Sequence, residues 1–295
     1  MQVQYKVLKH IINATQPHVY NNNSIMRLLM WKIGVLRRFL GGIRSLSILD
    51  FYKIGKSNKK FKISGPKPAF ICATGPSLNS LNRSTMESFA QIGAIFSINH
   101  FPITNIGSGI KIDYQMMLDA YHFNENNTDT SETNFREWFQ SKFNGTLVTT
   151  FNSKPNYKGA TIRISGLCLP SFTKSINPMG IAGYLPYTTF HAISLALWLG
   201  YSPIYLLGVD ASHHSKINID KNGVALGRHH AYDANLDGLP WKGRPDVSSI
   251  LNSNAYFIQQ CKLFSKYPVF VIESESHIDT LPRVSTDFIL NNKSF

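Results

Sequence analysis

The stretch Pro68-Ala-Phe-Ile-Cys-Ala-Thr-Gly-Pro-Ser-Leu78 constrains the fold more than any other. Ala69 to Ala73 is an unbroken apolar run, and a Gly-Pro-Ser turn stops it. Continuous apolar character over so few residues marks a strand covered on both faces, as in parallel sheets flanked by helices. A tight glycine turn after such a strand is where α/β proteins offer backbone N–H groups to a phosphate. The stretch predicts an α/β domain starting near residue 68 and a substrate that carries a nucleotide or phosphate.

The chain beyond it alternates in the same way. Ala94–Ile98, Asp113–Leu118, Thr146–Thr150, Thr161–Ile164, Pro203–Leu207 and Val269–Ile272 read as further strands. Leu78–Ile92, capped at Ser80 or Ser84, Thr188–Gly200 and Ile250–Phe264 read as helices, and residues 211–247 as a long polar loop. Short apolar strands separated by helices predict a single Rossmann-like, doubly wound, mostly parallel sheet, with the polar loop as a lid.

Charge separates a second region. Residues 1–67 carry 13 Lys and Arg against one acid, Asp50, whereas residues 68–295 carry 17 against 16. The net +13 therefore belongs to an extension, residues 1–67, and the domain proper is residues 68–295. Within the extension, residues 24–49 interleave Ile25, Leu28, Leu29, Trp31, Leu36 and Phe39 with Arg27, Lys32, Arg37, Arg38 and Arg44. That pattern fits an amphipathic helix lying on anionic lipid at the inner leaflet, or a helix docked on the body with its basic face in water. No nucleic-acid motif accompanies the charge. Lys53 to Lys67 reads as a basic linker. No apolar run is long enough to span a bilayer, and no apolar block resembles a secretory signal. Cys72, Cys168 and Cys261 are scattered, without metal-ligand spacing or an even count for disulfides. A reducing cytoplasm is expected, with the protein peripheral to the membrane.

In open α/β sheets ligands bind beyond the carboxyl ends of the strands. Here those ends carry Thr74, Gly75, Pro76 and Ser77, then Asn99-His100, Asp119 and Asp210. Each alone reads equally well as a cap or turn residue; together they mark a site.

These residues also carry a resemblance. Ile71-Cys-Ala-Thr-Gly-Pro-Ser-Leu78, Ile95-Phe-Ser-Ile-Asn-His100 and Ala192-Ile-Ser-Leu-Ala-Leu-Trp-Leu-Gly-Tyr-Ser-Pro-Ile-Tyr-Leu-Leu-Gly-Val-Asp210 resemble the bacterial sialyltransferases of glycosyltransferase family 42. The same pattern is similar to lipopolysaccharide Kdo transferases and to the 6-hydroxymethylpterin diphosphokinase-like family, which Asp113-Tyr-Gln-Met-Met-Leu-Asp119 fits well. The sialyltransferase resemblance implies a GT-A-like variant of the fold and inverting transfer of a nonulosonic acid from a CMP-activated donor to a glycan or glycolipid acceptor. It places Gly75, Pro76 and Ser77 in the nucleotide-side loop, Asn99 and Thr188 at the donor, and Asp210 near the cytidine. Family members are often tetramers, which implies a homo-oligomer. Asp119 departs from the sialyltransferases, which carry asparagine there, and agrees with the diphosphokinase-like proteins.

Such a transfer needs a base for the acceptor hydroxyl and donors for the leaving phosphate. His230 or His229 is expected as base, with His213 or His214 as the alternative, and Tyr232 as a phosphate donor. Backbone N–H groups of Gly75 to Ser77 are expected to help hold that phosphate. Neither cofactor nor metal is expected, since His213, His214, His229, His230, Asp210 and Asp233 match no zinc spacing. Under the diphosphokinase-like alternative, Asp119 and Asp210 would hold Mg²⁺ against ATP phosphates. A non-catalytic nucleotide-binding module is the third reading.

Overall fold

The computed structural model describes residues 48–123, 129–153, 155–170, 173–211, 217–219, 225–227, 247–272 and 276–292. Its strands are β1 (Ala69–Cys72), β2 (Ala94–Ile98), β3 (Tyr114–Met116), β4 (Thr146–Thr150), β5 (Thr161–Ile164), β6 (Ile204–Leu207), β7 (Ile217–Ile219), β8 (Ala225–Gly227), β9 (Val269–Ile272) and β10 (Arg283–Val284). Its helices are α1 (Ile48–Asn58), α2 (Arg83–Ile92), α3 (Thr130–Ser141), α4 (Thr188–Leu199), α5 (Val247–Cys261) and α6 (Thr286–Asn291).

Eight strands form one sheet in the order β10-β9-β6-β1-β2-β3-β4-β5, and every neighbouring pair is parallel. β7 and β8 form a separate antiparallel pair. All residues of β1, β2 and β6 are buried, which is why their sequences are continuous apolar runs and not alternating ones. One face of the sheet is covered by α4, with Ile54 of α1 and Cys261 of α5 in the same apolar cluster. The other is covered by α2 and α3, with Ile289 of α6. This is the doubly wound α/β fold expected from the alternation.

The strand order places the switch point. The chain runs outward from β1 through β5, then returns to β6 on the other side of β1. The helices that follow β1 and β6 therefore lie on opposite faces of the sheet, the arrangement that makes a ligand-binding crevice at the carboxyl edge of such folds. α4 carries the chain back. It is capped at Gly200, which takes a left-handed φ of 103°, four residues before β6 begins at its amino end. Its amino end, opened by Thr188, therefore lies towards the carboxyl edge.

Several expectations shift. The residues after Gly75 form a 3₁₀ turn, Pro76–Ser80, and α2 starts only at Arg83, where Asn82 caps it by accepting from Thr85 N at 2.8 Å. Pro76 fixes φ but leaves too short a run to continue as α-helix before Leu81 turns extended. The stretch from Lys53, read as a linker, contains most of α1. Ile54 is buried in the core and Asn58 Nδ2 donates to Arg163 O at 2.7 Å. β7 and β8 fall within the expected polar loop. The amphipathic segment up to residue 47 lies outside the described residues. Among the described residues no helix is long and apolar enough to cross a membrane.

α4 also buries a histidine. His191 Nδ1 lies 3.2 Å from Tyr184 Oη, and Nε2 lies 3.6 Å from Cys168 Sγ. Burial pushes its pKa from 6.5 down to about 4, because the cation would lose its hydration. The folded state keeps this ring neutral, whereas the unfolded chain protonates it below 6.5. The stability it contributes is complete above that value and is lost as the pH falls towards about 4. We expect the wild type to lose on the order of 3 kcal/mol through this group over that window. His191→Gln should lose less over the same range in urea unfolding at stepped pH; an unchanged pH slope would refute the assignment.

Candidate functional site

The turn after β1 is held from the opposite side of the switch point. Gly75 N donates to Gly208 O at 2.8 Å, just past β6. Ser77 N donates to Asp210 Oδ2 at 2.7 Å, and Ser77 Oγ donates to Asp210 Oδ1 in a very short bond. Ser77 and Asp210 are both buried. Asp210 is fixed in turn by the segment after β9: His277 N donates to Asp210 O at 2.7 Å and Ser276 Oγ to Val209 O at 2.8 Å. Gly208 has a left-handed φ of 63°, which glycine adopts without strain.

Gly75 is needed for a different reason. Its φ of −67° suits any residue, but a Cβ there would run into Gly208 O and lie 2.6 Å from Asp210 Oδ2. The two strand ends can close only around a bare backbone. These bonds also correct the expected phosphate cradle. Of the three turn residues, Gly75 and Ser77 direct their N–H groups into the protein, and Pro76 has none. The turn is a rigid wall of the crevice, and its backbone donors already have acceptors.

A second polar group gathers where β2 and β3 end. Asn99 takes a left-handed φ of 48°, uncommon for a residue with a side chain. Its backbone is pinned by Asn99 N donating to Met116 O at 3.3 Å and Gln115 Nε2 donating to Asn99 O at 2.9 Å. Its Oδ1 lies 3.3 Å from His122 Nε2. His122 Nδ1 lies 3.3 Å from Glu132 Oε2, while His100 Nε2 and the Tyr121 hydroxyl both contact Glu132 Oε1 closely. Glu132 comes from the first turn of α3, where Asp129 caps the helix by accepting from Ser131 N. Glu132 is 0% exposed, His122 2% and His100 6%. Burial would raise the Glu132 carboxyl, but hydrogen bonds from His100, His122 and Tyr121 outweigh it and hold the group well below the usual carboxylate range. The three side chains offer one nitrogen or oxygen each within 4.8 Å of one another, so they could hold a metal ion.

A family model describing 6-hydroxymethylpterin diphosphokinase MptE-like proteins matches residues 46–216, well over half of the chain and nearly all of the sheet up to β6. The chain belongs to the 6-hydroxymethylpterin diphosphokinase MptE-like family. The MptE-like region begins within the basic extension and takes in α1, in keeping with the burial of Ile54. No curated protein matches the chain. Among solved structures, the MAf glycosyltransferase from Magnetospirillum magneticum AMB-1 matches with 17% identity and a TM-score of 0.47, over 90% of this chain and 43% of that one. The chain thus spans less than half of that protein's length.

Of the residues expected at the site, the structure joins Gly75 and Ser77 to Asp210, with Thr74 buried beside them. Asn99 joins instead the histidine–glutamate group. Asp119 is exposed, and its backbone oxygen accepts from His122 N at 3.3 Å. Thr188 is the first residue of α4. His213, His214, His229, His230, Tyr232 and Asp233 lie outside the described residues. His122 and Glu132 escape the sequence reading. The available signal is a histidine shortly after each of two successive strands; nothing in the sequence pairs them with a glutamate on the next helix.

A groove of about 420 Å³ lined by Lys67, Lys111, Asp113, Tyr114 and Tyr201 opens at the opposite edge, by the amino ends of the strands. Parallel sheets bind ligands at the other edge, so the groove is not taken as the site.

Proposed function

We propose that this chain is a transferase that binds a nucleotide-activated donor in the crevice between β1 and β6. The observation that carries the reading is the clamp of Asp210 on the Gly75–Ser77 turn across the switch point. It gives the crevice one rigid wall, closed around the bare backbone of Gly75. With the turn's own N–H groups engaged, the donor's phosphate falls to the amino end of α4. There Tyr187 supplies no side-chain cap, and Thr188 adds a hydroxyl.

The finer reading is inverting transfer of a nonulosonic acid from a CMP-activated donor to a glycan or glycolipid acceptor, with His230 or His229 as base. Residues 24–49 would hold the enzyme at an anionic membrane that presents the acceptor. The family's own description favours a second reading, diphosphoryl transfer from ATP with Asp119 and Asp210 on Mg²⁺. Each Asp210 carboxylate oxygen already accepts one bond from Ser77, and Asp119 is exposed, so an ion held by this pair would use the remaining lone pairs of a buried, committed carboxylate.

Incubating the full chain with CMP-activated nonulosonic acids and glycolipid acceptor in anionic vesicles tests it. CMP release coupled to acceptor product is expected, falling about 100-fold or more in the variant of the true base, His230→Ala or His229→Ala. AMP formed from ATP and Mg²⁺ with a hydroxymethylpterin acceptor, and no CMP release, would overturn it.

A further inference from the structure

We propose that His100, His122 and Glu132 form a binding site for a divalent transition-metal ion of the zinc class. The site lies on the α3 side of the sheet and is distinct from the Asp119 and Asp210 pair. Its ligand atoms come from three segments: the end of β2, the turn after β3 and the first turn of α3. They lie within 4.8 Å of one another, close enough for side-chain rearrangement to bring all three onto one ion with bonds of about 2.0–2.2 Å. Two imidazoles and one carboxylate are a donor set for zinc-like ions and not for magnesium or calcium, which take oxygen ligands.

The second observation is the orientation of His122. Asn99 Oδ1 lies 3.3 Å from His122 Nε2 and can accept a hydrogen from it, which leaves Nδ1 for an ion. His122 Nδ1 then faces Glu132 Oε2, 3.3 Å away. A hydrogen bond on the far nitrogen of a ligating histidine is the usual support of a metal site. Asn99 supplies it from a left-handed backbone that Gln115 and Met116 hold in place. Around the group stand apolar rings: Phe135 lies 5.0 Å from the His100 ring and 5.6 Å from the His122 ring. Tyr121, 46% exposed, reaches in from solvent to Glu132 and marks the way an ion would enter. A bound ion would tie the ends of β2 and β3 to α3 and fix Asn99 at the carboxyl edge.

The test uses the full, untagged chain, stripped with chelator and titrated with Zn²⁺ and separately with Co²⁺. One equivalent of zinc should be retained after dialysis, the thermal midpoint should rise, and cobalt should show the visible absorption of a low-coordinate nitrogen and oxygen site. His122→Ala and Glu132→Gln should each weaken zinc binding by about 100-fold or more, and Asn99→Ala, which leaves all three ligands, by about 10–100-fold. Replacing His213, His214, His229 and His230 together by alanine should leave the equivalent in place. Where a ligand variant fails to fold, the wild-type cobalt spectrum and zinc-induced thermal shift decide alone. No retained metal in the wild type, with neither shift nor spectrum, overturns the proposal and leaves the group sharing a proton. Retention unchanged by His122→Ala, or lost in the loop variant, overturns it equally.

Discussion

Gly75→Ala is expected to give a folded protein that has lost nucleotide binding. The new Cβ meets Gly208 O, a backbone atom that cannot rotate away, and lies 2.6 Å from Asp210 Oδ2 and 2.7 Å from Asp210 Cγ. The turn must move off β6, and the Ser77–Asp210 bonds stretch or break with it. Overpacking of this kind costs about 1–3 kcal/mol, which a domain of ordinary stability survives. Affinity falls further, because the wall of the crevice is displaced. A loss of about 100-fold, near 2.7 kcal/mol, is expected. Paired thermal unfolding and calorimetric titration with CMP separate the two effects. A variant that binds CMP like the wild type would show that the turn does not border the nucleotide.

Asp210→Ala carries the larger cost in stability. It removes the acceptor for Ser77 N and Ser77 Oγ together, both in a buried position. Leaving two buried donors without their charged partner costs about 2–5 kcal/mol. Asp210→Asn keeps one carbonyl oxygen and should fall between the wild type and alanine in urea unfolding with an unchanged m-value. The comparison bears on the competing chemistry. If Asp210 served chiefly as a magnesium ligand, both variants would stay within about 0.5 kcal/mol of the wild type while losing metal-dependent activity.

The parts of this molecule that were legible were those encoded by local runs. Ala94–Ile98 and Val269–Ile272 read correctly because covered parallel strands are apolar throughout, and Thr161–Ile164 because an edge strand alternates buried and exposed residues. β10 did not, because two residues carry no pattern. α3 did not, because its buried residues are Glu132, Phe135 and Phe139, so a polar segment hides its inward face. At the site, Gly75, Ser77 and Asp210 stood out as strand-end residues. Their mutual use did not, since Ser77 and Asp210 lie 133 residues apart and the bond depends on β1 and β6 being neighbours. That bond reverses the role of the turn's N–H groups, which sequence alone assigned to a phosphate. The His100, His122 and Glu132 group depends on the left-handed backbone of Asn99, a property that an asparagine codon does not announce.

We propose that the chain holds a nucleotide in the crevice between β1 and β6, walled by the Asp210-clamped turn. Calorimetric titration of the full chain with CMP, and with ATP in the presence of Mg²⁺, addresses it most directly. Saturable binding of CMP, weakened about 100-fold by Gly75→Ala, is expected, with no binding of ATP and Mg²⁺. Binding of ATP and Mg²⁺ without CMP, or CMP binding that Gly75→Ala leaves intact, would contradict it.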